Sequence, residues 1–218
     1  MGVNDGKAAI FDLDGTLLDS MGLWSQIDID FFESRHIVFP EDYGSTVASM
    51  SSDEVARYTI ERFHLPDTVD ELNAEWERMA VEAYASVGAK PHAKAYLAAL
   101  KASGAKLAVA TALTPHLRDI AMRHVGIADI FDAVVSLSET HSADKNNPAV
   151  YLSAAQLLDV EPEHCVVFED LLDAMLGAKA AGMHVWAMAD DFSTDDLPAI
   201  TVEADGVIWD FSDAPKIL

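Results

Sequence analysis

Five short apolar runs constrain this chain more than any other feature. They occupy residues 7–13, 106–111, 133–137, 165–169 and 184–189, with a weaker sixth at 206–210. Strands with one wet face alternate polar and apolar residues, whereas these runs are nearly continuous. Unbroken hydrophobicity over so few residues is the pattern of strands covered on both faces, as in a parallel sheet. Helical patterns separate the runs. One, over 91–103, ends at Gly104. Thr114-Pro115 reads as an N-cap with proline at the first helical position, and Gly126 closes that helix. Patterns over 148–158 and 171–181 follow, the second stopped by Gly182. Alternating strand and helix predicts an α/β fold built on a doubly wound parallel, Rossmann-like sheet.

The alternation fails between residues 17 and 90, where helical patterns occur and no convincing strand does. Ser51 with Glu54, and Thr68 with Glu71, have the spacing of a capping box. Leu72, Trp76, Met79 and Ala83 share one helical face, as do Ala56, Ile60 and Phe63, and both stripes read as packing core. The expected organisation is a core domain of residues 1–16 and 91–218, with an all-helical domain, 17–90, inserted after the first strand.

Charge narrows the partners. The formal net charge is -23, the opposite of the basic footprint that nucleic acid requires. The same field repels anionic substrates, so a phosphate site here needs local positive charge from a metal or a lysine. No run of eighteen apolar residues suggests a membrane span. The first six residues lack the charged leader and apolar stretch of a secretion signal. The single cysteine, Cys165, lies in an apolar run and reads as a buried structural thiol. The expectation is a cytoplasmic protein, monomeric or weakly dimeric.

Asp12 and Asp14 end the first predicted strand. Ligands of open α/β sheets bind outside the carboxyl ends of strands. Residues two apart on a strand point the same way, and Gly15 lets the backbone turn off sharply. Two close carboxylates repel unless a divalent cation lies between them or one is protonated. Either arrangement suits phosphoryl transfer. One carboxylate attacks phosphorus to form an aspartyl-phosphate, and the other carries a proton to and from the oxygen that leaves or enters. Glu169 and Asp170 end another apolar run. Mg²⁺ prefers octahedral oxygen ligands, and Asp12, the Asp14 carbonyl and Asp170 would supply a protein half-shell, with Glu169 binding directly or through water. Thr111 ends the run before Pro115, where its hydroxyl and the amide of Ala112 could hold phosphate oxygens beside a helix N-terminus. Lys145 is the only lysine or arginine between Arg123 and Lys179. It could neutralise both the phosphate and the attacking carboxylate. The acidic stretch 190–196 lacks the spacing and central glycine of a calcium loop and reads as a solvated loop.

In this order the four pieces resemble the haloacid-dehalogenase-like superfamily of hydrolases. The matching segments are Asp12-Leu13-Asp14-Gly15-Thr16, Thr111, Lys145-Asn146-Asn147-Pro148-Ala149-Val150-Tyr151, and Phe168-Glu169-Asp170 followed by Ala178-Lys179-Ala180-Ala181-Gly182-Met183. The branch it resembles is the helical-cap one that includes β-phosphoglucomutase and small-molecule phosphatases. The resemblance implies Asp12 as nucleophile and Asp14 as general acid and base. It implies Thr111 and Lys145 as phosphate ligands, Mg²⁺ held by the acidic groups, and a helical insert that closes over the site and selects the substrate. Two departures stand out. Members often have Ser and Gly where this chain has Leu171 and Ala174, and Ser or Asn where it has Ala112. The expected substrate is a small phosphorylated metabolite, hydrolysed by a phosphatase. The alternative is a phosphosugar mutase, which needs cations for a second phosphate, and the insert offers few (Arg35, Arg57, Arg62, Arg78).

Overall fold

The computed structural model describes residues 2–47, 50, 52–140, 142, 144–190 and 194–218. In chain order the elements are β1 (Ala8–Phe11), β2 (Leu18–Asp19), α1 (Leu23–Ser34), α2 (Tyr43–Val47), α3 (Ser52–Phe63), α4 (Val69–Tyr84), β3 (Gly88–Ala89), α5 (Ala93–Ala102), β4 (Lys106–Thr111), α6 (Pro115–Val125), β5 (Ala133–Ser136), α7 (Ala149–Leu158), β6 (Cys165–Glu169), α8 (Leu172–Ala180), β7 (His184–Met188), α9 (Leu197–Glu203) and β8 (Gly206–Ile208). They form two compact units, Met1–Met21 with Val87–Leu218, and Gly22–Ser86.

The first unit carries a six-stranded sheet in the order β5-β4-β1-β6-β7-β8. Every pairing in it is parallel. All of β1 is buried, because hydrogen-bonded neighbours flank it and helices cover both faces. Ile10 and Val167 pack on one face with Val150 and Ala154 of α7 and Met175 of α8. Phe11 and Phe168 point to the other, their rings stacked at 4.8 Å with Tyr96 of α5 edge-on to both. Both faces being dry explains why the strand runs are continuous in sequence. Strand order runs outward from β1 through β4 to β5, then returns to β6 on the other side of β1. That reversal makes the carboxyl ends of β1 and β6 the switch point where α/β sheets bind ligands.

Three elements were not legible. Strands β2 and β3 pair antiparallel, Leu18 opposite Ala89 and Asp19 opposite Gly88, and both lie in the sheet-bearing unit. The helical unit therefore begins at Gly22 and ends at Ser86, not at 17 and 90. Strands of two residues have no period to display. Helix α9 has only seven residues, with proline in its first turn.

The helical unit packs around Phe31, Phe32, Tyr43, Ala56 and Leu72, with Ile60, Phe63, Trp76 and Met79 against them. The Thr68 side chain accepts from the Glu71 amide, and Glu71 accepts from the Thr68 amide, so that capping box forms. Ser51 lies outside the described residues. Arg35 is paired with Glu75 and Asp67, and Arg62 with Asp42. Among the described residues no helix is long and apolar enough to cross a membrane.

Candidate active site

Asp12 leaves β1 with its amide still bonded to the Phe168 carbonyl of β6, at 3.0 Å. Sheet pairing therefore continues to the last residue before the turn. The turn is tight: the amides of Thr16, Leu17 and Leu18 all donate to the Leu13 carbonyl. Gly15 adopts φ +76°, the left-handed region that favours glycine. Asp14 is half-buried and accepts a hydrogen bond from the buried Ser20 hydroxyl at 2.7 Å.

Asp12, Glu169 and Asp170 are all buried, and each offers a carboxylate oxygen within 4.8 Å of the others'. The sheet register produces this. Phe11 is level with Phe168, so the next residues of β1 and β6 emerge side by side. Lys145 enters from the loop before α7, its ammonium 2.6 Å from Asp12 Oδ1 and also bonded to Glu169 Oε1. Asn147 orders that loop: its amide donates to Asp144 and its side-chain oxygen accepts from the Ala149 amide. The Tyr151 hydroxyl donates to Glu169 Oε1 at 2.8 Å, and the Asp170 amide to Glu169 Oε2 at 3.1 Å. Glu169 is thus committed on both oxygens to Lys145, Tyr151 and the backbone.

Burial sets the electrostatics. It raises Asp12 well above the ordinary carboxylate range. Lys145 pulls it down, and Glu169 and Asp14 push it up again. Burial likewise raises Asp170, with Asp12 and Glu169 adding to the rise. For Lys145, burial alone would lower the pKa. Asp12 and Glu169 outweigh it, so the ammonium is held above its usual value. Burial, then Glu169, raises Tyr151 far enough to keep its hydroxyl protonated and donating.

One ammonium thus faces three carboxylates. An all-oxygen donor set in which Asp12 and Asp170 are hard to ionise alone fits a divalent cation, because added positive charge returns those two carboxylates to their ionised form. Among the described residues this trio is the acidic cluster with that geometry. The ligand expected from Asp14 is its backbone carbonyl, which is not part of this carboxylate trio.

Thr111 is buried at the end of β4, the strand paired with β1. Its hydroxyl accepts from the Leu113 amide at 3.1 Å. Thr114 is the side chain that caps α6, by accepting from the Leu117 amide. Ala112 is exposed beside Thr111. Sequence reasoning missed Ser20 altogether. Tyr151 was visible only as the last residue of the motif that begins at Lys145. In the acidic loop, Asp190 pairs with Lys90 at 2.8 Å, while Asp191, Phe192 and Ser193 lie outside the described residues.

Glycine at 15 is also required by space. A Cβ there would sit 2.2 Å from Asp170 Oδ2 and 2.7 Å from Met21 Sδ. Gly15→Ala is expected to displace the Asp170 carboxylate and to cost about 1–2 kcal/mol in the left-handed backbone alone. Urea unfolding and Mg²⁺ titration check it: wild-type cation affinity in the variant would show that Asp170 had not moved.

Comparison with known proteins identifies the family. Hexitol phosphatase B of Escherichia coli K12 is 29% identical over 182 residues, covering 81% of this chain and 80% of that protein. Protein CbbY of Rhodobacter capsulatus is 30% identical over 217 residues, covering 91% and 95%. The crystal structure of CbbY from Rhodobacter sphaeroides in complex with phosphate shares the fold, with a TM-score of 0.77 at 23% identity over 95% of both chains. The profile of the haloacid dehalogenase-like hydrolases matches residues 9–188, which span the acidic trio and Lys145, and the chain belongs to that family.

Proposed function

We propose that this enzyme is a magnesium-dependent phosphatase that hydrolyses a small phosphorylated metabolite through an aspartyl-phosphate on Asp12. The observation that carries the reading is the buried pairing of Lys145 with Asp12 inside a trio of carboxylates at the switch point of the sheet. Mg²⁺ held by Asp12, Asp170, the Asp14 carbonyl and, directly or through water, Glu169 would supply charge that ionises the nucleophile and offsets the phosphoryl oxygens.

The residues divide the work as follows. An Asp12 oxygen attacks phosphorus, and the bond from phosphorus to the ester oxygen breaks. Asp14 gives its proton to the departing alkoxide. Water then attacks the phospho-aspartate, Asp14 takes the proton, and inorganic phosphate leaves with Asp12 restored. Lys145, the Thr111 hydroxyl and the Ala112 amide hold the phosphoryl oxygens. Ser20, bonded to Asp14, orients the proton carrier. The helical unit acts as the substrate-selecting cap that the family resemblance implies.

A phosphosugar mutase is the less supported outcome. Two of the four arginines of the helical unit are already ion-paired within it, which leaves little charge for a second phosphate, and hexitol phosphatase B is among the relatives. The test is a panel of an aryl phosphate, hexitol, hexose and pentose phosphates, and β-glucose 1-phosphate with its bisphosphate primer, each with and without Mg²⁺. Hydrolysis that requires Mg²⁺ is expected. Isomerisation of the last substrate with hydrolysis of none would overturn the reading.

A further inference from the structure

Lys145 reaches Asp12 from a loop whose backbone lies against helix α8, and the point of contact is a glycine. Gly177 is buried. A Cβ built on it would lie 2.0 Å from the Lys145 carbonyl oxygen, 2.9 Å from that of Asn146 and 3.0 Å from the Asn146 carbonyl carbon. All three atoms are backbone, so no side-chain rotation relieves the overlap. Either the loop or the helix would have to move.

Gly177 is within a helix, where glycine is poorer than alanine because it loses more backbone freedom on folding. Its φ is not in the left-handed region, so the position does not need glycine for conformation. The need is for close approach. On the other side, Asp144 and Asn147 hold the loop through their bonds to the Asn147 and Ala149 amides. The depth at which Lys145 sits is therefore set by the absent side chain beneath it.

The far end of Lys145 is equally constrained. Its ammonium bonds both Asp12 and Glu169, and Glu169 is itself fixed by Tyr151 and the Asp170 amide. A backbone shift at residue 145 could not be followed by Glu169, so it would be transmitted to the Asp12 contact.

We infer that Gly177 is a positioning residue: by admitting the Lys145–Asn146 backbone against α8 it places the Lys145 ammonium on Asp12 and Glu169. The inference rests on the reading of Lys145 as the phosphate-binding lysine. Its test compares Gly177→Ala, Lys145→Ala and the double variant, with Ala180→Gly as a control at an exposed site of the same helix. The readouts are kcat and KM for p-nitrophenyl phosphate with Mg²⁺, and the crystal structure of Gly177→Ala.

Gly177→Ala is expected to lower kcat/KM about 100-fold, the scale of an ångström misplacement in a catalytic group, and to add little when Lys145 is already alanine. Ala180→Gly should lower thermal stability while leaving activity unchanged. Equal losses from Gly177→Ala in both backgrounds would show that it acts on the fold and not through Lys145. So would a crystal structure with the Lys145–Asp12 contact intact.

Should Gly177→Ala not fold, one glycine inserted between Asn146 and Asn147 slackens the loop with α8 untouched. The same loss of kcat/KM is then expected, and wild-type activity would overturn the inference. A wild-type protein that hydrolyses no member of the phosphate panel would instead defeat the functional reading, and the crystallographic position of Lys145 would still decide this one.

Discussion

Asp12→Asn is expected to lower turnover of p-nitrophenyl phosphate by about 10⁴-fold or more and to leave the fold intact. The asparagine side chain has the same shape, so the contacts around position 12 survive. Its amide is neutral and a poor nucleophile, so no phospho-enzyme accumulates. Rapid quenching with labelled substrate should trap an acid-stable phosphoryl group on the wild-type protein and none on the variant. The variant should also bind Mg²⁺ more weakly, because an amide oxygen carries no charge. Turnover within tenfold of wild type would move the nucleophile elsewhere, and Asp170 would be the next to test.

The second large effect is on stability. Lys145→Ala removes the ammonium that, among the described residues, is paired with the buried Asp12 and Glu169. Breaking a buried pair from one side typically costs about 3–5 kcal/mol, because the remaining charge is left without a partner. The metal-free protein should therefore lose stability by that order at about pH 9.5, above the Asp12 value of about 8 and below the ordinary lysine value of 10.5, measured by urea unfolding.

The pH dependence has a definite sign. Lys145 is raised above its ordinary value of 10.5. Its own titration leaves the contribution intact below that value and removes it as pH rises through the higher folded one, and the protonation of its partners sets the lower limit. Asp12 and Asp170 are also raised, by burial first. They take up protons on moderate acidification, and a protonated carboxyl does not need the ammonium. The part of the Lys145→Ala deficit that comes from Asp12 should thus shrink as pH falls through about 8 and be largest above that value, before Lys145 itself titrates. Added Mg²⁺ should recover part of it by binding the folded state alone. A deficit independent of pH would mean that packing, not charge, is what Lys145 contributes.

How much of this was legible beforehand differs by element, for physical reasons. The strands of the sheet were readable because both of their faces are covered, which forces continuous apolar runs. Helix α6 was readable from Thr114, Pro115 and Gly126, since capping chemistry is local. The strands β2 and β3 were not, because two residues carry no period. Asp12, Asp14, Glu169 and Asp170 stood out as acidic residues at the ends of apolar runs. Lys145 stood out by isolation. Ser20 gave no signal, since a serine six residues after an aspartate is unremarkable until the turn at Gly15 brings the two together.

Gly15 shows the division most sharply. Its neighbours announce a sharp turn, and local sequence predicts a glycine there. That the glycine also makes room for Asp170, more than 150 residues away, is a property of the assembled sheet. By itself the chain determined a parallel α/β fold, a helical insert and a short set of residues with phosphoryl-transfer chemistry. Those depend on burial period and side-chain type, which are written along the backbone. Only the tertiary structure decided that Lys145 is buried on Asp12, that Tyr151 and Lys145 share Glu169, and that Gly177 seats the Lys145 loop. These are contacts across pairs of elements, and their distances follow from strand register and helix packing, which no local pattern encodes.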